Sequence, residues 1–164
     1  EPEAAIDALA DLQGLDTELR AAARAHLEAQ DSRPADVHAE LWSLVSSPEH
    51  ELRTYELAVR RLERARVSAP DNTDVLTSLG AALHRIGRNE EARVLLARAN
   101  QLRPHCMERL AFLVLVELAR GDAAATSPAL AELNTQCHLE EHTLLPACVQ
   151  EALRAAPVHP RPGR

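Results

Sequence analysis

Three prolines, Pro34, Pro70 and Pro104, recur along this sequence at intervals of 36 and 34 residues, and each closes a stretch rich in Ala, Leu and Arg. A period of that length constrains the fold strongly. It holds two helices and a turn but no core of its own, so each unit must bury its apolar face by stacking on the next. The clearest unit is TDVLTSLGAALHRIGRNEEARVLLARANQLRP, residues 73–104. Leu76, Leu79, Gly80 and Leu83 recur at helical spacing, with the small Ala82 between them. Gly87 sits where the chain must turn, and Ala92, Leu95, Leu96, Ala99 and Leu102 form a second periodic stretch. The pattern predicts two helices joined by a tight turn.

In these positions residues 73–106 resemble a tetratricopeptide repeat. The family pattern runs from Trp through Leu-Gly to Tyr, then Ala, a large apolar residue and a closing Pro. Leu79, Gly80, Ala92, Leu96 and Pro104 match it, while Leu76 and Leu83 stand where the family usually keeps aromatics. The flanking units are more degenerate. Residues 39–72 keep Trp42, Ala58, Leu62, Ala65 and Pro70, but Ser46-Ser47-Pro48 interrupts the first helix. With Ser47 as N-cap, the second helix of that unit is expected over 48–68. Residues 3–36 hold Ile6, Leu9, Ala10, Ala22 and Pro34 at compatible spacing, with a second helix starting at Asp16 or Thr17.

Downstream, Met107 to Arg120 reads as another first helix, and Gly121-Asp122 as its turn. Thr126-Ser127-Pro128 reads as a cap and first position, giving a short partner helix to about Gln136 within a hairpin 107–137. A capping helix is expected over 138–155, with Leu144, Leu145, Val149 and Leu153 on one stripe and Pro146 bending it. The Pro-rich residues 157–164 are expected to be a disordered tail. The resemblance thus implies an all-α fold: a right-handed superhelix of antiparallel helix hairpins with a C-terminal capping helix.

Composition removes several chemistries. All 18 basic residues are Arg, so neither a Walker-type phosphate loop nor a Schiff-base lysine exists. The five glycines are scattered, which excludes a dinucleotide-binding turn, and there is no Gly-x-Ser-x-Gly elbow. A net charge of −7 disfavours nucleic acid and anionic lipid, and the Arg53–Arg66 region interleaves its basic residues with acidic ones. The longest apolar run, Leu110 to Val116, is too short to span a bilayer. Three cysteines, Cys106, Cys137 and Cys148, are too sparse for a disulfide scaffold, which favours a cytoplasmic setting over a periplasmic one. The chain begins with Glu1, which reads as a processed protein or an excised fragment, and its Arg-only basic usage suits a GC-rich bacterial genome.

The expected function is therefore non-catalytic and needs no cofactor: a protein-interaction module that binds a peptide or helix of a partner in its groove. In the family the first helices line that groove. By helical spacing the groove residues here are Asp74, Thr77, Ser78, Ala81, His84 and Arg85, then Glu108, Ala111, Phe112 and Leu115. The charged chaperone clamp of some family members is disfavoured, because Thr77 and Ala81 stand where its polar ligands would be and no Lys is present. Two alternatives accompany this reading. One is self-association through an apolar face around Phe112 or Trp42. The other is a zinc site in CHLEEH, where His138 and His142 lie one helical turn apart and Cys137 or Cys148 adds a ligand. That string also matches His-x-x-Glu-His, with Glu141 as the base, but a peptidase needs a third ligand and a cleft as well.

Overall fold

The structure, a computed structural model, describes residues 34–139 and 145–156, and every element among them is a helix. In chain order these are α1 (Pro34–Ser46), α2 (Leu52–Ser68), α3 (Thr73–Arg85), α4 (Asn89–Leu102), α5 (Met107–Arg120), α6 (Ala123–Leu139) and α7 (Ala147–Ala155). Each helix packs on its sequence neighbour in a hairpin, α1 on α2, α3 on α4 and α5 on α6. Between hairpins, α2 and α4 pack on the first helix that follows them, and the first helices themselves touch in the order α1, α3, α5, α7. Of the hairpin expected over 3–36, only Pro34–Asp36 are described, and they open α1 instead of closing a unit; its remainder and the tail 157–164 lie outside the described residues.

The core follows from which helices have neighbours on several sides. In α3 every residue from Val75 to Leu83 is buried, and in α5 nine residues are. Helices apolar around their whole circumference belong at the centre of a packed array. The outer partners carry narrower stripes: Ala58, Val59, Leu62 and Ala65 with Tyr55 on α2, and Ala92, Leu96 and Ala99 on α4. Gly80 marks the closest approach. A Cβ there would sit 2.6 Å from Leu96 Cγ, so the small residue is what lets α3 and α4 meet.

The two hairpin turns are the same device repeated 34 residues apart. Gly87 (φ 81°) follows α3, with Arg88 N donating to Leu83 O at 2.9 Å and Gly87 N to His84 O at 2.9 Å. Gly121 (φ 74°) follows α5, with Asp122 N donating to Glu117 O at 3.1 Å and Gly121 N to Leu118 O at 3.0 Å. Both are Schellman closures, in which a left-handed residue returns two N–H groups to the last turn. The start of α3 is equally well specified: the Asn72 side chain accepts from Asp74 N and Val75 N at 3.0 and 3.1 Å.

Three expected boundaries are corrected. The helix expected from Pro48 begins at Leu52, because residues 47–51 form a bent, non-helical link pinned by Tyr55. The Tyr55 hydroxyl donates to Ser47 O at 2.6 Å and accepts from His50 N at 3.1 Å. The helix expected from Pro128 starts at Ala123, directly after the turn. Thr126 donates to Asp122 O through both its N–H (3.0 Å) and its hydroxyl (2.7 Å), and Leu130 and Leu133 are buried in the core. Pro128 therefore lies inside α6 and forfeits one main-chain bond. Finally, α6 continues through His138 to Leu139, and Pro146 caps α7 instead of bending a longer helix.

Candidate functional site

The first helices bring one polar and aromatic cluster together. Its centre is Arg85, near the last turn of α3. The guanidinium lies over the Phe112 ring of α5, 5.2 Å from its centroid. Its Nε donates to Val45 O at 3.3 Å and one Nη to Ser46 O at 3.1 Å, so it meets the C-terminal end of α1, where carbonyls carry negative charge. The fork closes on Glu151 of α7 with two bonds of 2.7 Å. Four helices thus converge on one side chain that is only 6% exposed.

Aromatic contacts extend the cluster. Trp42 of α1 meets Phe112 edge to face at 6.2 Å, and His38 lies beside Trp42 at 5.6 Å. The other side of Phe112 takes the edge of His84 at 6.1 Å, whose Nδ1 hydrogen-bonds Asn89 Oδ1 at 2.8 Å. Burial holds the His84 imidazole below its ordinary value of 6.5. Beneath this layer Ser78 Oγ and His38 Nδ1 share a 2.8 Å hydrogen bond.

This geometry corrects the open groove expected from the sequence. Thr77, Ser78, Ala81, Ala111, Phe112 and Leu115 are buried, because side chains of α1, α3, α5 and α7 close over the face. Phe112 at 0% exposure is likewise unavailable for self-association, whereas Trp42 keeps a partly exposed edge. Of the remaining expected residues, His84 and Arg85 join the cluster. Asp74 and Glu108 stand apart at the N-terminal ends of their helices, beside Arg103 (3.7 Å) and Cys106 Sγ (3.3 Å) respectively.

Arg109 at that end was not anticipated. It is 1% exposed, with Nε donating to Thr77 Oγ1 at 3.0 Å and Nη1 to Arg103 O, and burial pushes its pKa down. An Arg directly before the apolar run Leu110–Val116 of α5 is the signal that could have found it. Glu151 has no such signal, since only the tertiary fold joins it to a residue 66 positions away.

The expected zinc ligands fall only partly within the described residues. Cys137 and His138 lie on α6, Cys148 is buried on α7, and His142 lies outside the described residues. Cys137 Sγ instead contacts Met107 Sδ at 3.8 Å, and among the described residues no three His, Cys, Asp or Glu side chains are placed to hold a metal. Burial pushes the Cys148 thiol up to about 12. On the opposite side of the array, Glu63, Arg66, Leu79, Leu83 and Val94 line a cleft of about 330 Å³ between α2, α3 and α4. Its rim is tied by Arg88, 2.6 Å from Glu91 and 3.9 Å from Glu63. Among the described residues no helix is long and apolar enough to cross a membrane. Comparison with protein-family models, curated proteins and solved structures found no match.

Proposed function

We propose that this chain is a non-catalytic protein-interaction module, a right-handed superhelical array of tetratricopeptide-like hairpins that binds a helix or peptide of a partner protein on its first-helix face. The observation that carries the reading is the cluster around Arg85 and Phe112, which draws Trp42, His38 and Glu151 onto that face. Aromatic and Arg groups are what recognition surfaces concentrate. The recurrence of the Gly87 and Gly121 turns and the contact ladder of first helices support the array architecture. Because the floor is buried, the partner meets the rim, and Trp42 with His38 is its aromatic anchor.

Affinity capture with the wild-type chain and Trp42→Ala tests this. Removal of a Trp anchor is expected to weaken capture of the specific partner by at least about tenfold, or ~1.4 kcal/mol, with the helical circular dichroism unchanged. The same partner set, recovered in the same amounts by both proteins, would remove this face as the binding site.

A further inference from the structure

The last helix is the shortest of the seven described. It buries Cys148, Val149 and Ala152 along its nine residues, and its packing is with α5. A nine-residue helix does not persist without such packing. Its one strong polar tie is Glu151 in the fork of Arg85.

The Arg85 fork, in contrast, does not depend on α7 for its position. The carbonyls of Val45 and Ser46 fix it from behind and the Phe112 ring supports it from below. A pre-positioned guanidinium backed by an apolar surface is a built receptor for a helix that carries a carboxylate beside small apolar residues. The Arg85 fork binds one carboxylate in two-pronged fashion at a time, so its present partner and any competing one exclude each other.

Resting on the interaction reading above, we infer that α7 is a displaceable occupant of this receptor, and that the partner is an amphipathic helix whose carboxylate takes Arg85 from Glu151. The partner helix matches α7 in pattern, with small apolar residues two before and one after the acidic residue, as Val149 and Ala152 flank Glu151. Binding is then coupled to the release of α7, and the cis helix sets the affinity by the fraction of time it leaves the site open.

The test uses the full chain and a labelled peptide of residues 145–156 with blocked ends. The full-length Glu151→Gln chain keeps Arg85 but weakens the cis contact. It is expected to bind the peptide at least about tenfold more tightly than wild type. The same peptide carrying Glu151→Gln is expected to lose that gain, as is a chain that also carries Arg85→Lys, which keeps the charge but not the fork. In a Cys106→Ser, Cys137→Ser background, thiol labelling of the buried Cys148 reads α7 release directly and is expected to quicken with Glu151→Gln.

Equal peptide affinity for wild type and Glu151→Gln overturns the inference, whether or not Cys148 labelling changes. So does binding that ignores the peptide's carboxylate. A concentration-dependent dimer of Glu151→Gln in light scattering also overturns it, by giving the face to a second copy. If the peptide behaves as expected while Trp42→Ala captures the wild-type partner set, the broader reading of the rim falls alone. If capture needs Trp42 and the peptide fails, only the displacement falls.

Discussion

Gly80 shows how a single hydrogen atom in place of a methyl group sets the spacing of two helices. In the interior of α3 a glycine costs helix propensity, and Ala at an open site would recover up to about 1 kcal/mol. Here the added Cβ would stand 2.6 Å from Leu96 Cγ and 2.9 Å from Cδ2, and Leu96 is itself fully buried and surrounded. Overpacking of this kind costs about 1–3 kcal/mol, so Gly80→Ala is expected to destabilise the chain by a net ~1 kcal/mol. Urea unfolding measures it; a stabilised Gly80→Ala would mean that α3 and α4 separate freely. His84 makes a second residue-scale case, because burial depresses its pKa below 6.5. The native state thus prefers the neutral ring. Its contribution is complete above 6.5 and is lost as pH falls from that unfolded value through the lower folded one. Wild type is therefore expected to lose more thermal stability between pH 7 and pH 5 than His84→Gln, which carries no proton to gain. Parallel Tm profiles for the two proteins would contradict that assignment.

At the scale of elements, what could be read from the sequence was what local chemistry controls. Gly87 and Gly121 marked the turns because only a residue tolerant of positive φ closes a helix this way, and Leu79, Gly80, Ala92 and Leu96 marked a close pair of helices. The all-α class followed from the same periodicity. Boundaries were misplaced where a local signal competes with packing. Thr126-Ser127-Pro128 has the composition of a helix start, yet the helix had already begun from the Gly121 turn, and Pro128 was absorbed near its N-terminal end. Ser47 does accept from Glu49 N, at 3.4 Å, but the Tyr55 hydroxyl holds the backbone of Ser47 and His50 and delays α2 to Leu52. The groove was the larger misreading. Helical spacing correctly put Ser78, Ala81, Phe112 and Leu115 on the first helices, but it contains no information on what crosses from the neighbours. Trp42 to Phe112 and Arg85 to Glu151 are contacts between distant parts of the chain, and they turn an open face into a covered one.

Among the described helices the contacts are mostly between sequence neighbours, which makes stability approximately a sum of local terms and lets the flanks of the described array open before its middle. Arg85 departs from that locality on both sides. It reaches 39 and 40 residues back to the carbonyls that end α1, and 66 residues forward to α7, so one side chain ties both flanks of the described array to its centre. Arg85→Lys keeps the positive charge but cannot make the two-pronged pair and the carbonyl contacts together. Native-state hydrogen exchange is expected to register the loss at both ends at once. Amides in α1 and α7 should lose about 1–2 kcal/mol of protection, while those of α4 and α6, which Arg85 does not touch, should keep theirs. A loss confined to α7 would reduce Arg85 to a local pair with Glu151. A uniform loss over all helices would mean that the array unfolds as a single cooperative unit, with no ends for one residue to fasten.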